Sequence, residues 1–123
     1  MENKLSESLI NYLEIIYEEE LKSSLGVQPN IIAQRLKVTK AAVTKATEKL
    51  ASSGYLKKIY YGDVNLTDKG KEIAKKVYEK LNSICKYLIN LGVEKLDAEI
   101  QGRKLVGVLK DEIYLKIKDS LKD

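Results

Sequence analysis

Four lysines lie within 14 residues, in the stretch KVTKAAVTKATEKL at positions 37–50. The side chains between them are mostly small, chiefly alanine and threonine. Lysine ammonium groups bind phosphate oxygens, and alanine and threonine methyl groups contact thymine methyls. Alanine, lysine and leucine also favour helix. The stretch therefore predicts a helix with a flat, basic face suited to nucleic acid, and a merely solvated lysine face on an ordinary amphipathic helix is the alternative.

The charge along the chain supports the first interpretation. The 123 residues have a net charge of +4, but residues 31–60 alone hold seven basic and one acidic side chain, a net of +6. Residues 1–30 have a net charge of −4, residues 61–91 of +2 and residues 92–123 of zero. A concentrated basic segment is the electrostatic footprint of nucleic acid binding. Its members are candidate DNA-binding residues: Arg35, Lys37, Lys40, Lys45, Lys49, Lys57 and Lys58.

Several kinds of chemistry are missing from the sequence. The chain has no histidine, which excludes serine–histidine and cysteine–histidine catalysis and any histidine-containing metal site. A glycine-rich phosphate loop is also absent, and we predict that the protein is not an enzyme. Cys85 is the single cysteine, so an internal disulfide is impossible and a reducing cytoplasm is expected. No apolar run is long enough to span a membrane, and the N-terminus MENKLSESL does not resemble a signal peptide.

Apolar periodicity, capping residues and turn signals predict six helices and one hairpin. The order helix, helix, turn, helix, hairpin, long helix is that of a winged helix-turn-helix, whose second paired helix enters the major groove. The expected elements are a helix from Glu7 to Lys22 capped by Ser6 or Ser8, a short helix in IIAQRL capped by Asn30, a helix from Lys40 to about Ser52 capped by Thr39, hairpin arms over 55–60 and 64–66, a helix capped by Thr67 and ending near Leu91, and helices starting at Asp97 and Asp111.

The third and fourth predicted helices each have a distinct pattern. In the third, Val43, Ala46 and Leu50 form an inward stripe. The outer stripe consists of Lys40, Ala41, Thr44, Lys45 and Glu48. The fourth has apolar residues at alternating spacings of four and three, a coiled-coil-like seam that either a single core or a second copy of the chain can cover. The seam and the following helix give the predicted dimer-interface residues Val77, Leu81, Ile84, Leu88, Leu105 and Leu109.

The predicted fold class is mainly α with a small β-hairpin. A winged helix-turn-helix DNA-binding domain is expected over residues 1–70, followed by a helical dimerisation domain over residues 71–123.

The segments LSESLINYLEIIY, IIAQRLKVTKAAVTKATEKLASSGYL and VNLTDKGKEIAKKV resemble the diphtheria toxin repressor and manganese transport regulator family. This resemblance covers about Leu5 to Leu109 and implies a dimeric, metal-activated transcription regulator of the two-domain, manganese-type branch. In that family helices 1 to 3 and the hairpin bind DNA, and the region after helix 4 forms the dimer. By similarity, the residues that face the operator would be Thr39, Lys40, Ala41, Ala42, Thr44 and Lys45.

The same resemblance identifies positions where the family binds manganese or iron. The corresponding residues here are Asn11, Glu14, Leu81, Arg103, Val106 and Gly107. Only Glu14 keeps a family ligand, and a divalent cation needs several convergent oxygen or nitrogen donors. We therefore predict that the metal switch has been lost and that no cofactor is needed. One hypothesis is that Arg103 pairs with Glu14 in place of the cation, and two separate solvated charges are the alternative.

Three functions follow from this combination. The favoured one is a homodimeric repressor that binds double-stranded DNA without a metal. A manganese- or iron-dependent repressor with a non-standard site is the second. The third is a dimeric interaction protein without specific DNA binding, which would have no reason to keep a segment with a net charge of +6. Membrane-surface binding is disfavoured because the basic helix lacks large apolar residues.

Overall fold

The computed structural model describes residues 5–122. Within that range the chain forms six α-helices and one two-stranded antiparallel sheet, in the order that the sequence predicts. None of the helices in this range is long and apolar enough to cross a membrane. The elements are α1 (Glu7–Lys22), α2 (Pro29–Leu36), α3 (Lys40–Ser52), β1 (Leu56–Lys58), a 3-10 turn (Tyr60–Gly62), β2 (Val64–Leu66), α4 (Asp68–Asn90), α5 (Lys95–Val108) and α6 (Asp111–Ser120).

Three of the predicted N-terminal caps are confirmed. The hydroxyl oxygen of Ser6 accepts from Leu9 N at 3.2 Å, and that of Thr39 accepts from Ala42 N at 3.0 Å. The Thr67 hydroxyl accepts from the backbone N–H of Gly70 at 3.1 Å. Each of these bonds satisfies a backbone donor that the first helical turn leaves without a partner. The starts of α1, α3 and α4 are therefore fixed by local chemistry that is visible in the sequence.

Two predicted helix starts are wrong. Asn30 does not cap α2, because Gln28 occupies the N-cap position and Pro29 begins the helix. Proline suits that position since its φ angle is already helical and its missing N–H would have no partner there. α5 begins at Lys95 with Glu94 as the N-cap, two residues before the predicted Asp97. Asp97 instead lies in the first turn, where a carboxylate is favourable next to the helix dipole.

The chain divides into two compact units, Met1–Lys75 and Lys76–Asp123, and α4 runs through the division. In the first unit, α1, α2, α3 and the hairpin enclose one apolar core. This core brings together the apolar stripes of the three helices and the inward side chains of the strands. Its most buried members include Leu13, Ile16, Ile32, Val43, Leu50 and Val64.

The hairpin pairs Leu56 with Leu66 and Lys58 with Val64. Val27, in the loop before α2, bridges to Val64 through two backbone hydrogen bonds of 2.8 and 3.0 Å. The predicted first arm was too long, because β1 ends at Lys58 and the tip of the hairpin is a 3-10 turn. The hairpin, or wing, is thus tied at its base to the helix-turn-helix.

In the second unit, α4 and α5 pack closely at Gly102. A β-carbon added there would lie 2.8 Å from Cys85 Sγ, and within 4 Å of Leu81 and Ile84. Lys80 joins α4 to the start of α6, since its ammonium lies 3.9 Å from Asp111 Oδ1 and 5.4 Å from the centre of the Tyr114 ring. The predicted domain boundary, between 70 and 71, falls in the first turn of α4 and remains a prediction.

Candidate nucleic-acid interface

α3 presents two chemically different faces. Val43 and Leu50 are fully buried, as predicted, and Ala46 is half-buried. Thr47 is also buried, and its hydroxyl donates to the backbone oxygen of Val43 at 2.8 Å. The hydroxyl therefore has a hydrogen-bond partner within the helix, so its burial in the core costs little free energy. The inward face fixes the rotation of α3 and so determines which side chains face solvent.

The opposite face of α3 is exposed and basic. Lys40, Lys45 and Lys49 are exposed, and within residues 5–122 no carboxylate forms an ion pair with any of them. Ala41 and Thr44 lie exposed between these lysines, while Ala42 is half-buried and Thr39 is exposed at the cap. The structure therefore brings the predicted outer stripe together on one surface. This surface consists of Lys40, Ala41, Thr44, Lys45 and the one carboxylate Glu48, with Lys49 beside them, and is called the basic face below.

The wing adds two further lysines beside α3. Lys57 and Lys58 are exposed on β1. The Lys58 ammonium lies 3.9 Å from Glu48 Oε2 on α3, which shows that the wing and α3 are neighbours. An exposed ion pair at this distance contributes little, about 1 kcal/mol at most, so Lys58 is free to exchange the carboxylate for a phosphate.

Arg35 occupies a different environment from the lysines. Its guanidinium donates to Glu18 Oε1 at 2.6 Å and to Glu19 Oε2 at 2.7 Å, and so joins α2 to α1. Burial alone would lower the pKa of Arg35, but the hydrogen bonds and negative charges of Glu18 and Glu19 raise it above its ordinary value. Arg35 thus clamps two helices together. Its predicted DNA contact is untested, and these two carboxylates already occupy the guanidinium.

The Glu19 carboxylate is one of the two acidic partners of Arg35 in this clamp. Burial alone would raise the pKa of the Glu19 carboxyl, but hydrogen bonds from Arg35 and Lys22, together with their positive charges, lower it below its ordinary value. The carboxylate is thereby held ionised between two cations. The acidic character of α1 therefore helps to hold the helix-turn-helix together.

Lys37 makes the turn between α2 and α3. It ends α2 in the left-handed conformation, with φ of 57° and ψ of 48°, and its side chain is exposed. A non-glycine residue rarely adopts this conformation. Its backbone therefore shapes the turn while its ammonium adds to the charge beside the basic face.

The predicted dimer-interface residues fall into two groups. Leu81 and Ile84 are buried within a single chain, in the packing around Gly102. Val77, Leu88, Leu105 and Leu109 are half-buried. The most exposed large apolar side chains of the second unit are others. Leu91 belonged to the predicted seam of α4, but neither it nor the following residues were among the predicted interface residues: Leu96, Ile100, Val108, Ile113 and Leu115.

The family's metal positions do not form a suitable donor set here. Leu81 is buried and apolar, Val106 is half-buried and apolar, and Gly107 offers no side chain. Arg103 brings a cation. Within residues 5–122, no group of three or more histidine, cysteine, aspartate or glutamate side chains is placed to hold a metal ion. The residues present therefore do not fit a divalent cation.

Glu14, the one family ligand that is kept, is fully buried. The sequence-based alternative in which Glu14 is a solvated charge is consequently wrong. Asn11, one turn before it on α1, is half-buried.

Two features of the site were missed from the sequence. The Arg35 clamp was missed because its partners lie 16 and 17 residues away, and no local pattern reveals such a pairing. The exposed tyrosines of the wing tip, Tyr60 and Tyr61, were missed because alternation placed Tyr60 in a strand. The tip itself was predicted from Gly62 and Asp63, since both residue types favour turns, but the exposure of the two tyrosines before them was not predicted.

The fold and the basic face define a winged helix-turn-helix transcription regulator. A sequence model of the family described as "Iron dependent repressor, N-terminal DNA binding domain" matches residues 4–64. A relative from Methanocaldococcus jannaschii, the HTH-type transcriptional regulator MJ0568, is 33% identical over 115 residues, which is 93% of this chain and 92% of the relative. The chain belongs to the diphtheria toxin repressor and manganese transport regulator family of winged-helix metalloregulators.

Solved structures share the fold. The protein SSo2273 from Sulfolobus solfataricus is 26% identical with a TM-score of 0.63, and the match covers 95% of this chain and 89% of that one. A manganese-dependent transcriptional repressor in complex with manganese is 24% identical with a TM-score of 0.83. That match covers 92% of this chain but 52% of the other, so the chain spans about half of that repressor's length.

Proposed function

We propose that this protein is a homodimeric, sequence-specific transcriptional repressor that acts in the cytoplasm and binds double-stranded DNA without the divalent cation of its family. Each protomer places α3 in the major groove of one half-site of a roughly palindromic operator. The observation that carries the proposal is the basic face, whose three lysines have no carboxylate partner in the described part of the chain.

The shape of the basic face supports insertion in the major groove. An α-helix with its side chains is about 10–12 Å across, and the major groove of B-DNA is about 12 Å wide. Ala41 and Thr44 keep the centre of the face low, so the helix backbone can approach the base edges. Their methyl groups suit thymine methyls, and the longer lysines reach phosphates on the groove walls or guanine acceptors.

The uncovered apolar side chains of the second unit support the homodimer. Leu96 and Ile100 lie one turn apart on α5, with 69% and 46% of their surface exposed. Leu115 on α6 is 55% exposed. Apolar surface of this extent favours burial against a partner. A second copy of the chain is the partner we propose, since dimers bind operators as two half-sites related by symmetry.

The donor chemistry at the family's metal positions supports a repressor that needs no cation. A divalent ion at these positions would meet leucine, valine and arginine where it needs oxygen or nitrogen donors. Binding of the cation would therefore release little free energy. A ligand that binds two conformations equally well cannot shift the equilibrium between them.

A metal-dependent repressor is the second candidate. It is favoured by the iron-dependent repressor family match over residues 4–64 and by the structural likeness to a manganese-dependent repressor. In this candidate the cation would use donors other than those at the family's positions.

The test is selection of bound duplexes from a random DNA pool in EDTA, followed by a salt titration of the selected duplex. We expect a palindromic site, because the dimer is symmetric. Affinity should fall on the order of a thousandfold between low and moderate salt if each protomer neutralises several phosphates. The proposal would be contradicted if the recovered duplexes share no common sequence, or if salt leaves the affinity unchanged.

A further inference from the structure

A single carboxylate lies on the basic face. Residues 31–60 hold seven basic side chains and one acidic one, which is Glu48. Its side chain is 66% exposed. Ala41, Thr44 and Lys45 precede it by seven, four and three residues, the spacings that place side chains on one side of a helix. Glu48 therefore lies on the same surface as the side chains that are proposed to face the bases.

The stability of the fold gains little from this carboxylate. Glu48 Oε2 lies 3.9 Å from Lys58 Nζ, which is beyond hydrogen-bond distance, and an exposed ion pair of this kind contributes little. Glu48 also lies well beyond the first turn of α3, so the positive end of the helix dipole does not stabilise its charge. Folding alone therefore does not account for an acidic residue at this position.

A carboxylate at a DNA interface lowers the affinity for most sequences. The phosphates repel it, and so do the acceptor atoms of the major groove, which are guanine N7 and O6, adenine N7 and thymine O4. The donors in that groove are the amino groups of cytosine and adenine. An acidic side chain on the basic face is therefore favourable only where one of these two amino groups lies opposite it.

We infer that Glu48 determines sequence specificity by accepting a hydrogen bond from the N4 amino group of a cytosine, so that each operator half-site carries a C·G pair at that position. The inference rests on the proposed function. Cytosine is favoured over adenine because the adenine amino group lies between two acceptors, its own N7 and thymine O4. The cytosine amino group has an acceptor, guanine O6, on one side only.

Helix geometry gives the position of this C·G pair. Glu48 lies seven residues after Ala41, which is about 10 Å along the axis of α3. Successive base pairs are about 3.4 Å apart. With α3 lying along the groove, the C·G pair is about three base pairs from the pair whose thymine methyl Ala41 contacts.

The first arm of the test selects duplexes from a random DNA pool in EDTA with the parent, Glu48→Ala and Glu72→Ala. Glu72 is the matched control, because it is exposed on α4 in the same unit and its replacement changes the net charge equally. We expect the parent and Glu72→Ala to recover one common sequence with a constant C·G pair in each half-site. Glu48→Ala should recover that sequence without a preference at this pair.

The second arm measures affinities by fluorescence anisotropy at a fixed salt concentration. Replacing the C·G pair should weaken binding by the parent about tenfold or more and should hardly change binding by Glu48→Ala. Glu48→Gln should shift the preference towards A·T, because an amide pairs with adenine N6 and N7. A merely structural role of Glu48 would not change the preferred base. Thermal unfolding of both variants should match that of the parent.

Lys58→Ala separates a direct base contact from an effect through the wing. Lys58 is the ion-pair partner of Glu48, so its loss removes the contact between the wing and α3 but leaves the carboxylate in place. We expect Lys58→Ala to bind the selected duplex more weakly and to keep the preference for the C·G pair, because the lysine contributes charge and Glu48 reads the base.

The outcomes separate the inference from the proposed function. A parent sequence without a constant C·G pair, or a Glu48→Ala variant that keeps the parent's preference, overturns the inference and leaves the proposed function standing. Equal losses of preference in Lys58→Ala and Glu48→Ala also overturn it, because Glu48 would then act by holding Lys58. A parent that recovers duplexes without a common sequence overturns both.

Discussion

The two units of the molecule handle apolar side chains differently. In Met1–Lys75, α1, α2, α3 and the hairpin enclose a core whose fully buried members include Leu13, Ile32 and Leu50. Of the largest side chains that are fully buried in the described residues, only Ile84 lies in Lys76–Asp123. The first unit therefore has a dense apolar core of its own, whereas the second buries few large side chains and leaves leucines and isoleucines exposed along α5 and α6.

The two units have the same net charge, +2 each, but distribute it differently. The exposed face of α3 in the first unit is cationic and has no carboxylate partner for Lys40, Lys45 or Lys49 within residues 5–122. In the sequence of the second unit's last 32 residues, basic and acidic side chains balance. A closed core with an unneutralised cationic face suits DNA, and an open apolar surface with balanced charge suits a protein partner.

The largest effect is expected from the basic face. Lys40→Ala and Lys45→Ala together should weaken operator binding about a hundredfold, because each lysine contributes a charge-assisted contact. The slope of log affinity against log salt should fall by about two phosphate contacts per protomer. Lys118→Ala removes an exposed lysine from the second unit and serves as the control. Equal losses from both variants would contradict a DNA site confined to the first unit.

The next effect concerns the apolar surface of α5. Leu96→Glu with Ile100→Glu should raise the dissociation constant of the dimer about tenfold or more, because it buries charge where apolar contact is proposed. Sedimentation over a range of concentrations measures the shift. Leu25→Glu changes a side chain that is 77% exposed in the first unit and should leave the dimer intact. An unchanged dimer in the α5 variant would place the interface elsewhere.

A smaller effect is expected at the contact between α4 and α5. Gly102→Ala should lower the free energy of unfolding by about 1–3 kcal/mol, since the added β-carbon meets Cys85 Sγ. Adding Cys85→Ala removes that sulfur and should restore part of the loss, which urea unfolding of the two single variants and the double variant measures. Purely additive losses would mean that the sulfur is not the obstacle.

The smallest effect is expected at the clamp between α1 and α2. Arg35→Ala should cost about 1–2 kcal/mol, because Glu18 and Glu19 lose a shared partner that is only 30% exposed. Lys22→Ala, which removes a 66% exposed partner of Glu19, should cost less. Urea unfolding at pH 7 compares the two variants, and a larger loss from Lys22→Ala would contradict the clamp.

The pH dependence of stability provides a second readout of the clamp. Because folding lowers the pKa of Glu19, its contribution to stability is present above its unfolded pKa of about 4.3 and is lost as the pH falls through the folded value. Between pH 5 and pH 3 the parent should therefore lose more stability than Arg35→Ala. Equal losses would show that Arg35 does not hold the Glu19 pKa down.

Local signals predicted much of the first unit from the sequence. The bounds of α1 and α3 agree with the prediction, because a serine or threonine cap and an apolar period of 3.6 coincide there. The outward position of Lys45 follows from the same period. A hairpin tip was predicted between the two arms, but the first arm was predicted two residues too long, because alternation continues through Ile59 and Tyr60 although a 3-10 turn has replaced the strand.

Contacts between distant residues set the limit of the sequence prediction. In the sequence, Arg35 is one more cation of a basic segment. Only the fold shows that two carboxylates of α1 bind it. The apolar seam of α4 predicted a core and a dimer contact equally well. In the structure, Leu81 and Ile84 of that seam pack around Gly102, so part of the seam belongs to the chain's own core.

The central claim is DNA binding by the basic face without a divalent cation. Fluorescence anisotropy of the labelled duplex from upstream of the protein's own gene, first in EDTA and then with manganese or ferrous iron, tests it most directly. We predict tight binding in EDTA that either metal leaves unchanged. Binding that occurs only after metal is added would contradict it and would show that a working cation site exists outside the family's positions.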